Sequence, residues 1–152
     1  MKYFLVGYMA SGKTYKGKVM SQELGIRFID LDTYIIRREH RSIPEIFATE
    51  GEAGFRKLET RYLHEVCELY EDFVLSTGGG TPCFNDNMEY MNACGHTIFL
   101  RTDINIILER LIRGKHKRPI VSRLSEAEIR EFVSRHLQER LPFYVRAKEE
   151  IS

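Results

Sequence analysis

An excess of charge is the first thing this chain lacks. Its 23 basic and 22 acidic residues leave a net charge of +1 over 152 residues. No global field therefore draws it to nucleic acid or to an anionic membrane, and any pull on anions must be local. Long apolar runs are also missing. After Lys2 only four apolar or aromatic residues precede Gly7, too few for a secretory leader, and no run approaches bilayer length. A cytoplasmic protein with no membrane partner is expected. Cys67, Cys83 and Cys94 are odd in number and have no C-x-x-C spacing, which argues against a disulfide framework or a zinc site. His40, His64, His96, His116 and His136 include no H-x-x-x-H pair, so no histidine metal centre is expected. Repeats and low-complexity stretches are absent, and the length is that of one ordinary domain, 1–152, able to bury its own core.

The most informative stretch is GYMASGKT, which places Gly7, Gly12, Lys13 and Thr14 in the phosphate-loop pattern G-x-x-x-x-G-K-[ST]. The competing reading is a glycine-containing turn. Four fixed positions match by chance in well under ~1% of chains this short, given ordinary glycine usage. The flanks agree with the loop: residues 3–6 read as a strand buried on both faces, and KTYKGKVMSQELG reads as a helix ending at Gly25. Backbone N–H groups of Met9, Ala10, Ser11, Gly12, Lys13 and Thr14 would converge on phosphates at the positive end of that helix. Lys13 would reach the β- and γ-phosphates and the Thr14 hydroxyl would ligate Mg²⁺. A nucleotide is the implied ligand.

Three further apolar segments, 26–29, 73–76 and 97–100, read as buried strands separated by helical patterns. Ser42 and Glu45 stand at capping-box spacing before a helix that should end at Gly51, with Pro44 in its first turn. Phe55, Leu58, Tyr62, Val66 and Leu69 make one apolar face over residues 52–70. DINIILERLI forms another helix, and Ser125 with Glu128 caps a last one running toward Arg140. Strands alternating with helices predict a three-layer α/β/α fold of P-loop NTPase type, with a parallel sheet of about five strands. Ile151 is placed to begin the fifth.

In such sheets ligands bind beyond the carboxyl ends of the strands. After the second strand come Asp30 and Asp32, which point to one side if the strand continues; the alternative is a solvated strand end. After the third come Gly78, Gly79 and Gly80, whose freedom of backbone allows close approach to a ligand. RTD after the fourth reads as a helix cap and no more. Arg56 and Glu59, three apart, either orient one another toward a substrate carboxylate or form a surface ion pair. RGKHKRPIVSR supplies Arg113, Lys115, Lys117, Arg118 and Arg123. This segment is either a solvated face or a basic lid over about 113–125, with Arg118, pinned by Pro119, as its best candidate. Arg140 adds a further cation. The basic cluster has no interleaved aromatics, so no nucleic-acid partner is expected.

Taken in order, GYMASGKT, IDLD, FRKLE, STGGG, KRPIV and RLPFY resemble shikimate kinase over essentially the whole chain. The resemblance implies a nucleoside-monophosphate-kinase-like fold with a five-stranded parallel sheet. It implies transfer of the γ-phosphoryl of ATP to the 3-hydroxyl of shikimate, on the route to chorismate and aromatic amino acids. By that likeness Lys13 binds phosphates, Thr14 holds Mg²⁺ and Asp30 holds it through water. Asp32 is the base or orienting group, and Arg56 with Arg140 grips the shikimate carboxylate. Gly79 and its neighbours contact a ring hydroxyl, Arg118 is the lid arginine, Arg110 lies near adenine, and Glu59 tethers Arg56. A monomer binding ATP and shikimate is expected. The sequence departs from the family at Ala10, where another glycine is common. The family normally also continues beyond this length with a loop touching adenine and a final helix. Gluconate kinase, a nucleotide kinase and a non-catalytic nucleotide-binding module are the alternative readings.

Overall fold

The computed structural model describes residues 1–115, 118 and 121–152. Its elements in chain order are β1 (Lys2–Val6), α1 (Lys13–Leu24), β2 (Arg27–Asp30), α2 (Leu31–Glu39), α3 (Ile43–Leu69), β3 (Phe73–Ser76), α4 (Asn87–Cys94), β4 (His96–Leu100), α5 (Ile104–Arg113), α6 (Glu126–Tyr144) and β5 (Glu149–Ile151). The five strands form one sheet in the order β2-β3-β1-β4-β5, and every pair is parallel.

Side-chain alternation explains why the sheet is covered on both faces. Phe4, Val6, Phe73, Leu75 and Phe99 point into the larger core, with Leu63, Val66, Ile107 and Val133 from the helices. Leu5, Val74 and Ile98 point the other way, toward Met20 and Phe28. Gly17 lets α1 lie close on that second face: a Cβ there would stand 2.5 Å from a ring carbon of Phe28 and 3.3 Å from Leu5. The anticipated fifth strand forms, but it begins at Glu149 and Ile151 ends it, with Ile98 opposite Glu149 and Leu100 opposite Ile151. Two side-chain contacts reinforce it, a hydrogen bond of His96 Nε2 with Glu149 at 2.7 Å and an ion pair of Arg101 with Glu150 at 3.0 Å.

Capping boxes begin both long helices as their sequences foretell. Ser42 Oγ accepts from Glu45 N at 3.2 Å while Glu45 Oε1 accepts from Ser42 N, and Ser125 and Glu128 repeat the arrangement. Gly51 interrupts α3 with φ 70° and ψ −179°, and the helix resumes at once instead of ending. Two expectations need correction. β2 does not run on through Asp32, because the Asp30 carboxylate accepts from Thr33 N at 3.0 Å and starts α2 immediately. Helix α6 does not stop near Arg140 but carries Pro142 within it to Tyr144. Among the described residues no helix is long and apolar enough to cross a membrane.

Candidate active site

The loop between β1 and α1 follows the phosphate-loop pattern in geometry as well as letters. Gly7 leaves β1 so close to β4 that a Cβ would lie 2.8 Å from the Leu100 carbonyl oxygen. Gly12 sits before α1 with φ 98°, a conformation that favours glycine. Ala10 takes φ 63° without being glycine, so the departure noted in the sequence carries local strain. The loop is braced from outside: Thr102 Oγ1 donates to Ser11 O at 2.7 Å and Arg110 Nη1 to Ala10 O at 2.8 Å. RTD is therefore more than a cap. Asp103 does start α5 by accepting from Asn105 N, and Thr102 beside it supports the loop. Arg110, expected near adenine, rests here against the loop backbone.

Lys13 is buried, and its Nζ donates to Gly7 O at 2.7 Å and Tyr8 O at 2.9 Å. Burial lowers its pKa to about 8, against the opposing pull of Asp32 and Asp30. Thr14 Oγ1 donates to Asp30 Oδ2 at 3.3 Å, so two hard oxygen donors meet at the mouth of the loop. Such a pair suits a small cation that keeps most of its water.

Asp32 reaches the same cleft from the first turn of α2, not from an extended strand. Its pKa rises to about 6, chiefly through burial, then through Glu59 and Asp30, while Lys13 and Arg56 oppose the rise. The cleft, about 330 Å³, is lined by residues 9–15, Asp30, Asp32, residues 76–79 and Arg118. A larger opening of about 610 Å³ on the far side of α2 shares only Thr14 and Asp30 with it. Lys13, Thr14, Asp30, Asp32 and Arg118 line the smaller one, while Arg56 and Arg140 meet the glycine run beside it.

Gly78 and Gly79 line this cleft and Gly80 follows them, glycine being required for a reason other than the backbone freedom argued from sequence. None of the three has a positive φ. Each instead has a functional side chain pressed against its Cα. A Cβ on Gly78 would lie 3.2 Å from Asp32 Oδ1 and 3.3 Å from Glu59 Oε2. One on Gly79 would lie 3.1 Å from Arg140 Nη1, and one on Gly80 2.6 Å from Arg56 Nη2.

Arg56 is no surface ion pair. Its side chain is 11% exposed, its Nη1 donates to Glu59 Oε1 at 2.9 Å, and its guanidinium lies 4.2 Å from the centre of the Phe84 ring. Glu59, 1% exposed, is satisfied on its other oxygen by Thr81 Oγ1 at 2.6 Å. Arg56 Nε is buried with no hydrogen-bond partner among the described residues. Arg140 approaches Gly79 from α6, and Tyr144, one turn further on, donates its hydroxyl to Gly79 O at 2.5 Å. Thr81 and Phe84 escaped the sequence reading because nothing in their spacing marks them, and Tyr144 stood within RLPFY without a role. Lys117 of the basic segment and Pro119, expected to pin Arg118, lie outside the described residues.

A family model described as "SKI: Shikimate kinase" matches residues 9–152. The chain belongs to the shikimate kinase family. Among its relatives, the shikimate kinase of Phocaeicola vulgatus is 49% identical over 97% of this chain and 83% of its own length. That of Bacteroides fragilis is 50% identical over 97% and 82%. The crystal structure of shikimate kinase from Bacteroides thetaiotaomicron superposes with a TM-score of 0.95 at 45% identity, covering 100% of this chain and 86% of that one. Shikimate kinase from Acinetobacter baumannii, solved in complex with shikimate, gives 0.85 at 35% identity over 99% and 82%. As a shikimate kinase this chain is an ATP-dependent phosphotransferase acting on shikimate in aromatic biosynthesis. The gluconate-kinase, nucleotide-kinase and non-catalytic readings are thereby set aside.

Proposed function

We propose that the cleft transfers the γ-phosphoryl of ATP to the 3-hydroxyl of shikimate with the following division of labour. Phosphates sit on the N–H groups of residues 9–14. Lys13 exchanges the carbonyls of Gly7 and Tyr8 for the β- and γ-phosphate oxygens, which carry more charge and offer a stronger bond. Thr14 and Asp30 would hold Mg²⁺, Asp30 through water. When bound, that ion offsets charge on the transferring group.

Asp32 takes the hydroxyl of the acceptor. With a pKa near 6 it is mostly ionised at neutral pH yet basic enough to accept a proton as the new bond forms. Arg56 and Arg140 hold the carboxylate. The unpaired Arg56 Nε supports this, since a planar carboxylate bonds two guanidinium hydrogens side by side. The glycine floor gives a ring hydroxyl access to backbone, Arg118 closes over the phosphates from the basic lid at about 113–125, and Arg110 lies toward the base. We infer further that residues 1–152 act as one domain, that the enzyme is a cytoplasmic monomer, and that it has no nucleic-acid or membrane partner.

The observation that carries this reading is the convergence of Asp32, Arg140 and Arg56 on three successive glycines, with buried Lys13 lining the same cleft as Asp32. A coupled assay of ADP release tests it: Asp32→Asn should lose about a hundredfold or more in kcat, the scale of a lost general base. Turnover near the parent rate would remove Asp32 from the chemistry.

A further inference from the structure

Helix α6 does more than deliver Arg140. His136, Arg140 and Tyr144 recur at four-residue steps and so share one face. The two outer members are anchored to different halves of the site. Tyr144 bonds the Gly79 carbonyl on the acceptor floor, while His136 Nδ1 meets the Tyr8 hydroxyl at 2.9 Å, with the rings edge to face at 5.4 Å. Tyr8 is the residue directly after the first glycine of the phosphate loop. Arg140 lies between these anchors, its guanidinium carbon 6.0 Å from the centre of the Tyr8 ring.

The phosphate-loop pattern accepts any residue at position 8, and a phenylalanine would fill the same volume. Tyr8 is 1% exposed, so its hydroxyl is tolerated there only with a partner, which His136 provides. Burial raises the phenol pKa to about 12, and burial, then Arg140, lowers that of the imidazole. A phenol and a neutral imidazole are thus joined by one hydrogen bond.

We propose that the Tyr8–His136 hydrogen bond is a positioning contact that ties the donor loop to Arg140, so that the grip on shikimate depends on the loop's hydroxyl. The proposal rests on Arg140 as a carboxylate ligand.

Steady-state kinetics of Tyr8→Phe test it. A net hydrogen bond converts to a rise of about threefold to tenfold in the shikimate KM, with kcat and the ATP KM within about twofold of the parent. His136→Leu should reproduce that rise, and His136→Gln, whose amide can either donate to or accept from the phenol, should largely abolish it. In an Arg140→Ala background Tyr8→Phe should add nothing. A shikimate KM within about twofold of the parent in both Tyr8→Phe and His136→Leu overturns the proposal. So does an equal rise in the ATP KM, or an undiminished effect once Arg140 is alanine. Arg140→Ala alone separates the two readings: it should raise the shikimate KM about tenfold or more. If it is silent, the assignment of Arg140 falls and the latch with it. If it is large while Tyr8→Phe is silent, the latch alone falls.

Discussion

Replacing Gly80 with alanine should damage shikimate binding while leaving ATP binding intact. Gly80 has φ −94° and ψ −12°, an ordinary conformation for any residue, so alanine carries no backbone penalty there. The new methyl would stand 2.6, 2.7 and 2.9 Å from Nη2, Nη1 and Cζ of Arg56, inside any permitted contact. An exposed arginine would swing away at little cost. Arg56 cannot, because Glu59 holds one end at 2.9 Å and the Phe84 ring lies against its face at 4.2 Å. Overpacking of this kind costs about 1–3 kcal/mol, roughly fivefold to a hundredfold in an equilibrium constant. The Lys13 side of the cleft is untouched, so the shikimate KM should rise by about tenfold or more while the ATP KM stays within about twofold. Titration of shikimate at saturating ATP, and of ATP at saturating shikimate, reads the two in a coupled assay, with a thermal melt to show that the protein is folded. An unchanged shikimate KM in a folded Gly80→Ala protein would show that Arg56 moves freely or does not meet the substrate, and the reasoning would fail.

Two other perturbations address separate parts of the structure. The Asp32 carboxyl titrates at about 6 in the folded protein against 3.8 ordinarily, so the folded state binds the extra proton between those values and stability falls as pH rises through that window. Asp32→Asn should therefore stabilise the fold at pH 7 by about 2–3 kcal/mol, with the gain vanishing near pH 4, and kcat/KM of the parent should decline below pH about 6 as the base is protonated. Denaturant melts across pH check the first part; a gain that persists undiminished at pH 4 would contradict it. Gly51→Ala should destabilise by about 1–3 kcal/mol with shikimate and ATP KM unchanged, since φ 70° and ψ −179° are nearly closed to alanine and nothing lies within 4 Å of the added methyl. A melt equal to the parent would show that the break in α3 does not require glycine.

Much of this molecule was readable from contiguous stretches. The phosphate loop, both capping boxes, the break at Gly51 and the buried strands β1, β3 and β4 each depend on residues within a few positions of one another, whereas β2, read as buried, is only half-covered. Local backbone geometry and alternation dictate them with little help from the rest of the chain. Asp30 marks where that ends. An aspartate after a strand serves equally to continue it or to cap a helix, and only the packing of α2, with Leu31 and Ile35 buried, chose the cap.

The site divides in the same way. Sequence alone carried the expectation that Lys13 binds phosphate and Thr14 holds Mg²⁺, because eight consecutive residues form the phosphate-loop pattern, and the order of the motifs pointed to the shikimate kinase family. It left open whether Arg56 was a solvated ion pair and attributed the glycine run to backbone freedom. Only the tertiary structure decided that Asp32, Arg140 and Arg56 press on Gly78, Gly79 and Gly80 in turn, and that Tyr8 of the loop meets His136 of α6. These contacts join residues 24 to 128 positions apart. No local preference encodes them: they arise when parallel strand order brings the ends of β1, β2 and β3 side by side and α6 is laid across them.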